Sequence, residues 1–396
     1  MRVPPTVTNP TQAEFRYQRY FKQAVFSSYK KEPVMSDDLF EIPVPVAPPV
    51  QTKSVPDDEF PAPVGVSMGF VGLGQCGGRL AAAFYGLGYR KVVAINTTAT
   101  DLAKISIPEE NKLDLAVGGA GKDLNAAANA ISTREEDVYG LLQHRFGDNA
   151  PEMTFLCFGM GGGTGAGVAP TVKRVVEQYS KNFAAGKQPR IGAIVALPKT
   201  DEGVQPAQNA IKTAEWLTAS GLSPILVLDN DRVIQLYKPS VFNEHKVGNS
   251  ALAGLLHTLN KLSAEASEHT TFDKADLLNV LGGGVTVLGS QSIVDWSSGV
   301  VVSEAIKKSI ETSLLADVAL KDAKVAGLVF ICGPDAVETL AADTLDQAYT
   351  MLGRKITAGS TVFRGVYTGS KPGIIAVYAL GGAPWPAARL DAALKN

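Results

Sequence analysis

Several things are scarce in this 396-residue chain, and each shortage removes a class of function. Its three cysteines, Cys76, Cys157 and Cys332, are too few and too far apart for a disulfide framework, and two lie in apolar runs that read as strands. The four histidines show no ligand spacing, which argues against a His/Cys metal centre. Lys and Arg number 37 against 39 Asp and Glu, a net charge of −2, so no basic excess directs the chain to nucleic acid. No window reaches the roughly 18 uninterrupted apolar residues of a membrane-spanning helix. The N-terminus lacks the basic-then-apolar pattern of a secretory signal. A cytoplasmic protein with no transmembrane segment and no direct nucleic acid binding is expected.

What is present is length enough for two domains and 45% apolar residues, as in an ordinary globular protein. Residues 1–66 differ from the rest. The run "EIPVPVAPPVQTKSVPDDEFPAPV" reads as an extended linker, because proline cannot donate to a regular hydrogen-bond ladder. Before it, Tyr17, Phe21, Val25 and Tyr29 recur at helical spacing among basic residues. This is either a docking arm or a disordered leader with chance aromatics.

From Val66 onward, near-continuous apolar strands alternate with helical stretches: "SMGFVGLG", "KVVAIN", "MTFLCFG", "RIGAIVALP" and "SPILVLDN". That pattern predicts an α/β fold with a parallel, doubly wound sheet over 67–246. A long central helix is expected over 247–268. A smaller α+β unit with a mixed sheet is expected over 269–385, then a short tail, 386–396.

Two glycine loops carry the chemistry. "GLGQCGG" matches G-x-G-x-x-G through Gly72, Gly74 and Gly77, but a dinucleotide site wants an acid at the end of the next strand, where this chain has Asn96. A nicotinamide cofactor is therefore disfavoured. "GMGGGTGAG", Gly159 to Gly167, places six glycines in nine residues between a strand and a helix, without the lysine of a Walker loop. Backbone N–H groups, the helix dipole and the Thr164 hydroxyl suit polyphosphate, with a bound cation such as Mg²⁺ meeting the remaining charge. The pair Asp273 and Asp276 in "TFDKAD" shares one face of a helix start, where acids are also favoured for purely local reasons.

"GMGGGTGAG" resembles the signature loop of the tubulin/FtsZ superfamily, and the resemblance runs from about Ser67 to Pro384 through "GQCGG", "AINT", "DEG", "NDR" and "AVYALGG". It implies a divergent FtsZ-like protein that binds GTP or GDP with Mg²⁺ and polymerises head to tail. Gly74, Gln75, Cys76 and Gly77 would approach the phosphates. Asn96 and Thr97 would lie near metal and phosphate, and Gly119, Ala120 and Gly121 around the γ-phosphate. Gly161, Gly162, Gly163, Thr164 and Gly165 would cradle the α- and β-phosphates. Glu202 would hold the ribose, and Asn230 and Asn249 would read guanine; the local alternative for such asparagines is helix capping. No side chain is expected to ligate the metal directly. Asp273 and Asp276 would be catalytic, polarising water at the next subunit's nucleotide. The task implied is division or cell shape, with plasmid-type DNA positioning or regulation of another filament as alternatives. The N-terminal arm could engage a membrane tether or a neighbouring subunit.

The chain departs from the superfamily's pattern at Thr98 in "NTT", at Pro206 where an arginine is usual, at Ser250, and at Thr271. By the same resemblance, all four would surround the nucleotide or the catalytic acids.

Overall fold

The computed structural model describes residues 63–184, 186, 188–240, 243–314, 322–355, 361–392 and 394. The aromatic arm at Tyr17–Tyr29 lies outside them.

Strand β1 (Met68–Leu73) is buried along its whole length and runs directly into helix α1 (Gly74–Gly86). There follow β2 (Val92–Asn96), α2 (Ala99–Leu102), β3 (Lys112–Asp114), α3 (Leu124–Ser132), α4 (Glu135–Phe146), β4 (Met153–Gly159) and α5 (Gly163–Phe183). Then come β5 (Arg190–Leu197), α6 (Val204–Ala219), β6 (Ile225–Asp229), α7 (Asn230–Tyr237) and the central helix α8 (Glu244–Leu262). The second half holds α9 (Lys274–Leu281), β7 (Val285–Ile293), α10 (Gly299–Glu311), β8 (Val325–Cys332), α11 (Pro334–Thr339), α12 (Ala342–Lys355), β9 (Thr361–Thr368), β10 (Ile374–Gly381) and α13 (Ala387–Ala392).

The strands form one ten-stranded sheet in the order β3-β2-β1-β4-β5-β6-β7-β10-β8-β9. Its first six strands are parallel and follow the doubly wound order 3-2-1-4-5-6. Beyond β7 the sheet is mixed: β10 is antiparallel to β7 and β8, and β8 is parallel to β9. The α/β fold class is as the strand pattern predicts. The two halves also share hydrogen bonds, through a short parallel ladder pairing Ile225 with Val285 and Leu226 with Thr286.

Strands buried on both faces need apolar residues at every position, which is why "MGFVGL" and "MTFLCF" show no alternation. Phe70 on β1 stacks on Phe84 of α1, ring centres 3.8 Å apart, and packs on Phe155 of β4 at 5.5 Å. Each such fully buried ring stabilises the fold by about 1.5–3 kcal/mol.

The central helix begins one turn before the expected Val247 and ends at Leu262. There the apolar spacing stops, and Ser263 turns back to cap it, its hydroxyl donating to the Asn260 carbonyl at 2.8 Å. Asn260 is fully buried on this helix and exchanges two hydrogen bonds with the backbone of Val66, at 2.8 and 2.9 Å, pinning the entry to β1.

Candidate functional site

In an open parallel sheet the loops at the carboxyl ends of the strands share one edge, and a crevice opens where strand order reverses. Here the reversal lies between β1 and β4, the two strands that carry the glycine loops. The carboxyl ends of β2, β5 and β6 bring Asn96 and Thr97, Glu202, and Asn230 to the same edge.

The loops touch. A Cβ built on Gly74, whose φ is +68°, would sit 3.0 Å from the Gly165 nitrogen. One built on Gly77 would collide with the carbonyl oxygen of Cys157 on β4, so helix α1 can approach the sheet only because that position is glycine. The Thr97 and Thr164 hydroxyls lie 2.8 Å apart. The third loop, Ala116–Lys122, joins through the Lys122 backbone, 2.8 Å from a Cβ built on Gly163, and lies over Thr98 through Gly119. Ala116, Gly118, Gly119, Gly121 and Lys122 all have positive φ, so this loop needs its glycines for conformation. Ala120 is its buried anchor.

The second loop needs its glycines for space. Gly163 faces Lys122, Gly165 faces the Leu73 carbonyl, and Gly167 faces the backbone of α3. With Gly161, whose added Cβ would lie 2.9 Å from Pro198, protein packing alone accounts for four of the tract's glycines. Gly161 packs against Pro198 and Pro206, whereas a Cβ on Gly162 would meet nothing within 4 Å. Room for a ligand lies above Gly162.

Two observations point to an anion there. Helices α1 and α5 start with no side-chain cap and no acid in the first turn, so their leading N–H groups remain available. By contrast, α3 is capped by Asp123 and α9 by Asp273. Second, Asn96 Nδ2 is the one buried side-chain nitrogen or oxygen among the described residues without a hydrogen-bond partner, while its Oδ1 accepts from Thr97 N at 2.8 Å. A buried amide donor at a strand's carboxyl end, next to two hydroxyls, suits a phosphate oxygen.

Around this floor, Gln75 Nε2 donates to Asp101 at 3.1 Å. Burial pushes the Cys76 thiol up to about 11 against the pull of Arg79, and the nearby Glu202 charge adds to the push. Cys76 is thus held as a neutral thiol. Glu202 is exposed and accepts from Lys199 N at 2.9 Å. Asn230 opens α7. Asn249, on α8 and only 7% exposed, is brought alongside because Gly248 lets α8 approach Val233 of α7.

The departures are legible in place. Thr98 caps α2 by accepting from Asp101 N, a task Thr and Asp share. Buried Pro206 packs on Gly161 and offers no charge. Thr271 accepts from Ser267 N, and Ser250 lies in α8.

Asp273 and Asp276 are elsewhere. They form a reciprocal capping box at the start of α9, Asp273 Oδ1 accepting from Asp276 N at 2.9 Å and Asp276 Oδ2 accepting from Asp273 N at 3.3 Å. Between them Lys274 pairs with Glu152 at 2.6 Å. Glu152 immediately precedes β4, whereas the glycine loop follows it. The acids and the glycine floor therefore lie at opposite ends of one seven-residue strand, a span of about 20 Å. Burial raises the Asp276 carboxyl above its usual range, and the Asp273 charge reinforces this.

The motifs did not reveal Asn209. It is 1% exposed on α6, and its Nδ2 donates both to the Lys122 carbonyl at 2.8 Å and to the Gly161 carbonyl at 3.1 Å, fastening the third loop to the second. The available signal was a pair of polar residues, Asn209 and Thr213, inside the helix's apolar face. A cavity of about 420 Å³ beside Lys173 and Ile191 lies at the amino end of β5, away from this site.

Comparison with known proteins agrees with this geometry. Residues 67–238 match the model of the Tubulin/FtsZ family, GTPase domain. The tubulin-like protein CetZ of Pyrococcus horikoshii is 30% identical over 310 residues, 75% of this chain and 80% of that protein. The chain belongs to the tubulin/FtsZ family. Within that family, the cell division protein FtsZ 1 of Pyrococcus abyssi is 29% identical over 250 residues, 62% of each chain. A GTPγS-form protofilament of TubZ from Bacillus thuringiensis serovar israelensis superposes with a TM-score of 0.72 at 18% identity, covering 84% of this chain and 91% of that one, a likeness of fold. No helix among the described residues is long and apolar enough to cross a membrane.

Proposed function

We propose that this chain is a cytoplasmic GTPase that assembles head to tail, with residues 67–246 holding the nucleotide and residues 269–385 presenting the acids to the next subunit. One observation carries the reading: Asp273 and Asp276 stand at the far end of β4 from the glycine loops, beside the Lys274–Glu152 pair, so they serve a nucleotide only if it belongs to another copy.

The backbone of Gly161–Gly165 and of Gly74–Gly77 would receive the α- and β-phosphates, and Gly119–Gly121 would close over the γ-phosphate. Asn96 Nδ2 would donate to a phosphate oxygen. Glu202 would hold the ribose, and Asn230 and Asn249 would read the guanine edge. The hydroxyls of Thr97 and Thr164, 2.8 Å apart, would stand near the phosphates, with Mg²⁺ carried on the nucleotide rather than ligated by a side chain. Mg²⁺ would neutralise charge that no lysine in the loop meets. Asp273 and Asp276 would orient and polarise the attacking water, making hydrolysis conditional on assembly.

The test is phosphate release against protein concentration, with filaments imaged in GTP and in GDP. Specific activity should rise steeply above a threshold, and Asp276→Ala should still polymerise but release phosphate at least tenfold more slowly, about 1.4 kcal/mol or more in the barrier. Constant specific activity on dilution would sink the shared site. GTP binding with no release at any concentration would favour a second reading, a nucleotide-loaded regulator of another filament, which Thr98, Pro206 and Thr271 motivate. The relative named cell division protein FtsZ 1 supports a task in division; cell shape stands beside it, with DNA positioning the alternative. For the N-terminal arm the proposal is a membrane tether or a subunit contact. Deleting residues 1–60 without effect on filaments or localisation would remove it.

A further inference from the structure

The base and ribose side of the site is braced from a distant part of the chain. Arg389, on α13, has a side chain 9% exposed. Its Nε lies 3.1 Å from Asp229 Oδ2, and its Nη2 lies 2.9 Å from Asp231 Oδ2 and 2.7 Å from the Pro198 carbonyl oxygen. Asp229 is 1% exposed and caps α7, accepting from Asp231 N at 3.0 Å. The Asp231 carboxylate in turn accepts from Thr200 N at 3.1 Å and from the Thr200 hydroxyl at 2.9 Å.

One guanidinium therefore joins two turns that leave the β5–β6 ladder at its last pair, Leu197 with Asp229, and continue past the reach of the strand hydrogen bonds. The first, Pro198–Glu202, carries the proposed ribose ligand. The second, Asp229–Asp231, flanks Asn230, the proposed reader of guanine. The contacts reach 160 and 191 positions along the chain. Two carboxylates flanking a recognition residue repel each other, and a planar cation with several donors can hold both and a carbonyl at once, which a lysine ammonium cannot do in the same geometry. Loss of the cation would leave Asp229 buried beside a second negative charge and free α7 to shift relative to the turn.

Resting on the nucleotide reading above, we propose that Arg389 is a positioning residue that sets the gap between the ribose-holding turn and the base-reading helix. In this way the C-terminal helix governs how tightly and how selectively a guanine nucleotide is held.

The test uses the full chain below its assembly threshold, comparing GDP with IDP, which lacks the 2-amino group of guanine. Arg389→Met should raise the GDP dissociation rate about tenfold, since loosened recognition shows mainly in the off-rate, and should shrink the preference for GDP over IDP several-fold. Arg389→Lys should recover only part of the preference. Thr200→Val, which leaves the Arg389–Asp229 pair in place, should reduce the preference to a smaller extent and serves if Arg389→Met does not fold. Equal weakening of GDP and IDP would mean that Arg389 only stabilises the fold, and unchanged constants for both would overturn the proposal outright. If the unsubstituted chain binds no GDP, the nucleotide reading falls with it.

Discussion

The hydroxyls of Thr97 and Thr164 stand 2.8 Å apart although 67 positions separate them in the chain. One closes β2 and the other opens α5, so the pair fixes a strand end against a helix start at the point where the sheet's order reverses. Thr164→Val keeps the shape and removes one hydroxyl. GDP affinity is expected to fall about tenfold, the worth of one hydrogen bond to a charged group. Titration with a fluorescent nucleotide checks this, and an unchanged dissociation constant would remove Thr164 from the site.

Asn209 offers a prediction about loop order. Its amide donates to both Lys122 and Gly161 carbonyls from a fully buried position. Asn209→Ala should cost about 1–3 kcal/mol of stability, because the buried Gly161 carbonyl and the part-buried Lys122 carbonyl lose their donor. Amide exchange at residues 116–122 should quicken more than exchange in β4. Uniform quickening across the chain would mean that the loops are not fastened through this side chain.

Tyr367 holds the loop that carries the acids. Its hydroxyl accepts from Phe272 N at 3.0 Å and lies 2.9 Å from the Leu262 carbonyl oxygen, joining the end of the central helix to the residue before Asp273. Tyr367→Phe should destabilise the chain by about 1–3 kcal/mol. It should also slow phosphate release by the assembled protein while leaving GDP affinity of the dilute protein unaltered. A change in GDP affinity equal to the change in turnover would contradict a role confined to the loop.

A pH dependence follows from His257. Burial, helped by the Lys261 charge, holds its imidazole below the usual histidine value, and Nδ1 faces the Tyr89 hydroxyl at 3.4 Å. The unfolded chain therefore takes up a proton near pH 6.5 while the folded chain does not. The stability associated with the neutral ring is complete above that pH and is lost as pH falls through 6.5 toward the depressed folded value. Denaturant midpoints measured from pH 7.5 down to pH 5 should decline, and His257→Gln should flatten part of the decline. A variant with the same slope would assign it to other groups.

Much of the parallel half was legible because strands buried on both faces must be apolar at every position, so "MGFVGL" and "MTFLCFG" admit few other readings. The glycine loops were legible as loops, but their purposes were not. Whether Gly162 faces open space and Gly167 faces the Leu124 carbonyl depends on neighbours supplied by other segments. Arg389 gave no local signal, since its carboxylate partners lie 160 positions away and nothing in "PWPAARLDAAL" points to them. The capping box at Asp273 and Asp276 was readable, being written within four residues. The β6–β7 ladder was hidden, because a pairing across a central helix leaves no mark in either strand.

Strand β4 begins beside Glu152, which grips Lys274 between the two acids, and ends at Gly159 beneath the glycine floor. Were subunits to stack end to end, the spacing between successive nucleotides would be transmitted along a covalently bonded rod. Pulling on such a fibre would load main-chain bonds inside each molecule and concentrate any yielding at the joints between molecules, which is where hydrolysis would take place.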